Sequence, residues 1–180
     1  MFRALGRTVV GLVGWRVDGN VPDVAKCVLI VAPHTSNWDL PVGIALMIAA
    51  DLRVSWFGKH TIFWFPLNRL LNWLGGIPID RSVPGGVVDQ VAGHMKAAPQ
   101  MFLGLAPEGT RRPVERWKTG FYRVAEQAQV PIVPVIFDYP RRTATLCPPF
   151  APTGNLEGDL ARLQAHFHKS MARHPERYAQ

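Results

Sequence analysis

Short apolar runs, rich in β-branched residues, alternate along the chain with segments whose apolar residues recur at helical spacing. The apolar runs predict strands over 27–32, 53–57, 77–79, 101–105 and 132–138, with an added edge strand over 143–146. Helices are predicted over 40–50, 61–74, 85–97, 119–129 and 155–173. This alternation is typical of an α/β fold, and we expect a single domain with a largely parallel central sheet covered by helices.

The start of the chain differs from this pattern, so we divide the sequence into an N-terminal segment, 1–22, and a domain, 23–180. The N-terminal segment carries an apolar face at helical spacing, flanked by arginines and formed by Phe2, Leu5, Val9, Leu12 and Val13. Such a face fits an amphipathic helix that lies on a membrane surface, and a terminal helix packed on the domain fits it equally. The apolar segment 62–74 fits core burial on the one hand, and membrane contact or acyl-chain binding on the other, and the sequence does not favour either.

Composition and charge narrow the classes of function. A chain of 180 residues suffices for one core, and no apolar run reaches the roughly 18 residues that a membrane-spanning helix needs. The two cysteines, Cys27 and Cys147, indicate neither a disulfide framework nor a zinc ribbon. The formal charge of +7 suits a polyanion, an anionic membrane or a phosphorylated substrate. Because the basic residues are scattered and no base-reading motif is present, we expect no nucleic-acid partner.

His34 and Asp39 follow the first predicted strand, five residues apart. A histidine that acts as a general base needs an acceptor on its second ring nitrogen, because that acceptor fixes the tautomer and stabilises the imidazolium. If a helix begins at or just after Asp39, its first turn aims the carboxylate back at His34. Taken alone, the same spacing also fits an N-cap aspartate beside an ordinary loop histidine.

A second polar cluster, Glu108 to Arg111, follows another predicted strand. In α/β sheets, ligand sites collect beyond the carboxyl ends of strands, so this cluster and His34 are expected at one crevice. Gly109 lets the backbone approach a ligand closely, Glu108 can orient a neighbour, and the guanidinium of Arg111 suits phosphate. Two further cations lie where loops leave the predicted sheet, Lys59 and Arg81. The alternative is ordinary surface solubility, which is the more common role of any single lysine or arginine.

In this order, these pieces resemble the signature boxes of the glycerophospholipid acyltransferase family, the group that includes 1-acylglycerol-3-phosphate acyltransferases. The matching segments are His34 to Asp39, Gly75 to Arg81, Glu108 to Arg111 and Val130 to Val135. Together they span about residues 28 to 136, most of the chain. The chain departs from the family pattern at Pro78, where Phe is frequent, and at Pro33, where Asn often precedes the histidine.

The resemblance implies an O-acyltransferase of phospholipid biosynthesis, with residues 23–180 as the acyltransferase domain. A fatty acyl group would pass from acyl-CoA or acyl carrier protein to the hydroxyl of a lysophospholipid such as 1-acylglycerol-3-phosphate, giving phosphatidic acid. The resemblance makes His34 the base and Asp39 its partner. The substrate-binding residues that it implies are Lys59, Arg81, Glu108, Gly109, Thr110 and Arg111. No metal and no cofactor beyond the thioester co-substrate are expected.

Because such a substrate lies in a bilayer, the resemblance also implies peripheral association with the cytoplasmic side of a membrane. Two alternatives stay open at this point. One is an acyltransferase for a non-phosphate lysolipid such as an amino-acid lipid, and the other is a lipid-binding membrane module without catalysis. The joint presence of His34, Asp39 and Glu108 favours an enzyme over the module.

Overall fold

The computed structural model describes residues 11, 14–80, 82 and 86–178. Its strands are β1 Arg16–Asp18, β2 Lys26–Ala32, β3 Val54–Lys59, β4 Gly76–Ile79, β5 Met101–Leu105, β6 Ile132–Asp138 and β7 Thr143–Leu146. Its α-helices are α1 Asp39–Ala50, α2 Leu67–Trp73, α3 Gly86–Ala97, α4 Gly120–Ala128 and α5 Leu156–Gln164. The predicted apolar face between residues 2 and 13 lies outside the described residues, so the two alternatives for it stay predictions.

The strands form one sheet in the order β1-β7-β6-β2-β5-β3-β4. From β6 to β4 every neighbouring pair is parallel, whereas β7 runs antiparallel to β6 and β1 runs parallel to β7. The predicted α/β fold with a largely parallel sheet is therefore confirmed. The edge position of 143–146 is wrong, because β1 pairs with β7 on its outer side. With three residues, β1 is too short for its alternation to stand out in the sequence.

The central position of β2 in the sheet explains why apolar and polar residues do not alternate in its sequence. Val28, Ile30 and Ala32 pack in one cluster with side chains of α3 and α4, while Cys27 and Leu29 pack in a second cluster with side chains of α1. All five side chains are buried. A strand covered by helices on both faces has no solvent side, so every position is selected for burial.

Two helix predictions are wrong in extent. The segment predicted as one helix over 61–74 forms a 3-10 turn at His60–Ile62 and an α-helix only from Leu67. Pro66, which lacks an N–H and clashes with the preceding turn, directly precedes α2 and cannot lie in a helix interior. The helix predicted over 155–173 ends at Gln164. Beyond that point Phe167 turns back into the core, with its ring 5.4 Å from the ring of Trp117.

The parallel strands place their carboxyl ends at one edge of the sheet. The loops that follow β2 and β5 leave the sheet there, and they contain the polar segments 34–39 and 108–111 that the sequence singles out. No helix in the described part of the chain is long and apolar enough to cross a bilayer.

Candidate active site

His34 and Asp39 are in direct contact at the carboxyl end of β2. Nδ1 of His34 lies 2.9 Å from Oδ2 of Asp39, with the imidazole 19% exposed and the carboxylate 2% exposed. A histidine that donates from Nδ1 to a carboxylate presents an unprotonated Nε2, which is the tautomer that a general base requires. The expected local contact between the two side chains is therefore present.

The start of α1 fixes the Asp39 carboxylate. Asp39 is the first residue of this helix, and its Oδ2 also accepts a hydrogen bond of 2.9 Å from the backbone N–H of Ser36. The N-cap position belongs to Trp38, whose side chain makes no capping bond. The interpretation of Asp39 as an ordinary N-cap is therefore wrong, because its carboxylate turns back onto the histidine loop.

Glu108 hydrogen-bonds to the loop that carries His34. Its side chain is buried, and both of its carboxylate oxygens accept from the backbone N–H of His34 at 3.1 Å. Burial raises the pKa of Glu108 to about 7, although the hydrogen bond from His34 acts in the opposite direction. The geometry makes Glu108 a support of the loop that carries His34, and its predicted contact with substrate stays a prediction.

Gly109 adopts a left-handed backbone conformation, with φ at +66°. A Cβ atom at this position would lie 2.9 Å from Cδ and 3.1 Å from Nζ of Lys118. The backbone N–H of Lys118 donates to the carbonyl of Pro107 at 2.9 Å. Lys118 is thus a cation beside the Glu108 loop that sequence reasoning missed, since nothing in its neighbourhood of the sequence indicates this contact. Nearby Thr110 accepts a hydrogen bond from the backbone N–H of Arg112 at 3.3 Å.

The predicted cations are not all gathered at His34. Arg111 is exposed and lines the same cavity as His34 and Asp39. Lys59 is the exposed last residue of β3, paired in register with Ile79 of β4, and it does not line that cavity. Arg81 lies outside the described residues, so its role stays a prediction.

A cavity of about 290 Å³ lies between α1 and the sheet. Its polar wall includes the side chains of His34, Asp39 and Arg111. The rest is mostly apolar and includes Gly43, Met47, Ala50, Val54, Trp56 and Phe137. It follows α1 from Asp39 to Ala50, a helix of 12 residues and therefore about 18 Å long. This shape suits a long apolar group whose reactive end lies at the imidazole.

No three metal-ligating side chains are grouped within the described ranges. Fold and site together define an α/β domain with a His–Asp pair at the carboxyl edge of a parallel sheet. The chain belongs to the acyltransferase family, since the family model described as Acyltransferase matches residues 16–138. The predicted family and fold are thereby confirmed.

Several similar proteins share the name 1-acyl-sn-glycerol-3-phosphate acyltransferase. The protein of Escherichia coli K12 is 31% identical over 134 residues, which cover 69% of this chain and 53% of that protein. The Haemophilus influenzae protein is 30% identical over 135 residues, covering 69% and 55% of the two chains. This chain thus spans about half the length of these curated relatives.

A solved structure is also similar, the 1-acyl-sn-glycerophosphate acyltransferase PlsC from Thermotoga maritima. The match has a TM-score of 0.61 at 19% identity and covers 92% of this chain and 74% of that one. At this identity the likeness supports the fold alone.

Proposed function

We propose that this chain transfers a fatty acyl group from acyl-CoA or acyl carrier protein to the hydroxyl of 1-acylglycerol-3-phosphate, giving phosphatidic acid. The observation that carries the proposal is the position of His34 in the wall of a mostly apolar cavity. The cavity accommodates the acyl chain of the donor and sets its thioester carbonyl beside the imidazole. The names of the relatives support the choice of acceptor.

In the proposed reaction, Nε2 of His34 takes the proton of the acceptor hydroxyl as the oxygen attacks the thioester carbonyl. The carboxylate of Asp39 stabilises the imidazolium that forms. When the tetrahedral intermediate collapses, the carbon–sulfur bond breaks and the thiolate receives the proton from the imidazolium. One ester and one free thiol result, with one proton carried by His34. The balance requires no metal and no further cofactor.

Turnover by the purified chain tests this proposal directly. Palmitoyl-CoA and palmitoyl acyl carrier protein are offered with lysophosphatidate, lysophosphatidylcholine and an amino-acid lysolipid, and the diacyl products are quantified. Phosphatidic acid as the main product supports the proposal. Product from the amino-acid lysolipid alone supports the non-phosphate alternative, and lysolipid binding without any product supports the non-catalytic module.

The cavity should limit the length of the acyl chain. Gly43 lies on α1 facing the cavity, and a Cβ there would have Phe137 as its nearest neighbour, 3.8 Å away. Gly43→Leu is expected to lower kcat/KM for palmitoyl-CoA about tenfold or more and to spare octanoyl-CoA, because the added side chain fills space that a long chain needs. Gly93→Leu on α3 is the matched control, since a Cβ there meets nothing within 4 Å. Equal losses for both donors in Gly43→Leu would contradict this use of the cavity.

The acceptor phosphate is proposed to contact Arg111, with Lys118 as a further cation beside Gly109. Lys59, which does not line the cavity, and Arg81 stay predictions from sequence. Arg111→Ala is expected to raise the KM of lysophosphatidate about ten- to a hundredfold and to leave that of the thioester within about twofold. Lys at this position should restore part of the loss, because an ammonium keeps the charge without the planar fork. Arg112→Ala removes the adjacent exposed guanidinium and serves as the control. An unchanged acceptor KM in Arg111→Ala would favour a non-phosphate acceptor.

Peripheral binding to the cytoplasmic side of a membrane is also proposed. The chain after β3 exposes large apolar side chains, among them Trp64 at 60%, Phe65 at 69% and Trp73 at 80%, and Arg69 lies over the Phe65 ring. Core burial of these three side chains is therefore wrong. Exposed aromatic residues beside a cation fit a surface that enters the interface of an anionic bilayer.

Vesicle binding tests this surface. Trp64→Ser with Trp73→Ser is expected to weaken co-sedimentation with vesicles rich in anionic phospholipid, and high salt should weaken it for the unaltered chain. Val21→Ser removes a 39% exposed apolar side chain elsewhere and is the control. If the double variant binds normally and deletion of residues 1–14 abolishes binding, the contact belongs to the N-terminal segment.

A further inference from the structure

The Asp39 carboxylate has a donor that its own loop does not supply. Oδ2 faces two local donors, Nδ1 of His34 and the backbone N–H of Ser36. Oδ1 accepts instead from the hydroxyl of Tyr139, which follows β6 and lies 100 residues further along the chain. The two carboxylate oxygens are therefore held by two different segments of the chain, which follow the neighbouring strands β2 and β6.

The Tyr139 bond fixes the plane of the carboxylate. A carboxylate bound only through one oxygen can turn about its last torsion, and its partner imidazole then turns with it. A donor on the second oxygen removes that freedom, in the way that outer hydrogen bonds orient catalytic and metal-binding groups. Proton transfer depends steeply on such alignment.

Tyr139 is itself fixed by several contacts. Its ring packs edge-to-face on Trp15 with centroids 5.1 Å apart, and its backbone N–H donates to the carbonyl of Met171 at 2.9 Å. The guanidinium of Arg173 lies 5.8 Å from the Tyr139 ring and 5.4 Å from the Trp38 ring. The segment after α5 therefore packs, through Met171 and Arg173, on the tyrosine and on the loop that precedes α1.

The phenol stays a donor over the ordinary pH range. Burial, together with the hydrogen bond to the Asp39 carboxylate, raises the pKa of Tyr139 above its usual value. The ring is half-buried, and its hydroxyl is directed at Asp39.

We propose that Tyr139 is a positioning residue of the His34–Asp39 pair, holding Oδ1 of Asp39 so that Oδ2 faces the imidazole. The inference rests on the proposed acyl transfer, in which this pair moves the proton. Tyr139 touches no reacting atom, so its effect reaches the reaction through Asp39 and His34.

Tyr139→Phe keeps the ring and removes the donor. We expect kcat to fall about tenfold and the KM of both substrates to stay within about twofold, because the change affects proton transfer rather than binding. Tyr122→Phe is the matched control, since it removes another tyrosine–carboxylate hydrogen bond, of 2.8 Å to Asp159, away from the pair. Its kcat should be unchanged below its unfolding temperature. An unchanged kcat in a folded Tyr139→Phe variant overturns the proposal.

A second measurement needs no substrate. In protein labelled with ¹⁵N-histidine, the Nδ1–H resonance of His34, assigned by its loss in His34→Ala, should shift or broaden in Tyr139→Phe and not in Tyr122→Phe. If the unaltered chain transfers no acyl group, the proposed function fails, and this resonance alone decides whether Tyr139 orients the pair. An identical resonance in Tyr139→Phe would show that it does not.

Discussion

His34→Ala is expected to lower kcat for acyl transfer about a thousandfold while leaving the fold intact. In the proposed mechanism the imidazole takes the hydroxyl proton and returns it to the leaving thiolate, and a general base of this kind contributes roughly 10²- to 10⁴-fold. The side chain is only partly buried, so its loss leaves little unfilled space in the core. Steady-state assays with palmitoyl-CoA and lysophosphatidate, together with thermal unfolding, measure both effects. His94→Ala, which removes an exposed imidazole on α3, should keep full activity.

Asp39→Asn separates the role of the carboxylate from that of the ring. An amide that presents its NH₂ to the imidazole favours the wrong tautomer, and the corresponding change in a serine protease costs about 10⁴-fold. We expect a fall of at least about a hundredfold in kcat, and no additional fall when Asp39→Asn is combined with His34→Ala, because the two groups act as a unit. Near-normal turnover in His34→Ala would refute the mechanism.

The buried carboxylate of Glu108 should make the stability of the protein depend on pH. Burial raises its pKa from the ordinary 4.5 to about 7, so the folded chain holds this proton more tightly than the unfolded chain does. The resulting stabilisation is fully present below pH 4.5 and is lost as the pH rises through about 7. At roughly 1.4 kcal/mol for each pH unit between these values, the loss is about 3 kcal/mol.

Urea unfolding of the unaltered chain and of Glu108→Gln at about pH 5 and pH 8 measures this contribution. Glu108→Gln cannot ionise, so its free energy of unfolding should lack this part of the fall between the two pH values. Glu126→Gln, which changes an exposed glutamate on α4, should retain the whole fall. The same pH dependence in Glu108→Gln as in the unaltered chain would rule out Glu108 as its source.

Several parts of the structure are determined by local sequence. The uninterrupted apolar run from Cys27 to Ala32 identified a central strand, because only a strand covered on both faces needs such a run. The contact between His34 and Asp39 was also predictable, since the loop is short and the helix that starts at Asp39 directs its first side chain back. In both cases the deciding interactions lie within a few residues of each other or repeat along one element.

The periodicity of apolar residues gave a wrong prediction where the apolar side chains lie on the protein surface. The spacing that predicted a helix over 61–74 came from side chains such as Trp64 and Trp73 that the fold leaves exposed. Apolar periodicity shows that residues lie on one face of an element, but it does not show what covers that face. The break at Pro66 was visible in the sequence, but the exposure of its neighbours was not.

Only the tertiary structure decided which distant groups meet at the site. The carboxylate of Glu108 accepts a hydrogen bond from the backbone N–H of His34, which lies 74 residues earlier in the chain. The hydroxyl of Tyr139 donates to Asp39, which lies 100 residues earlier. These contacts depend on the order of the strands, which brings the ends of β2, β5 and β6 side by side. Strand order is set by the packing of the whole sheet and its helices, and no local pattern encodes it. The sequence by itself therefore determined the acyltransferase fold and its His–Asp pair, whereas the supports that orient the pair arise only when the complete sheet is assembled.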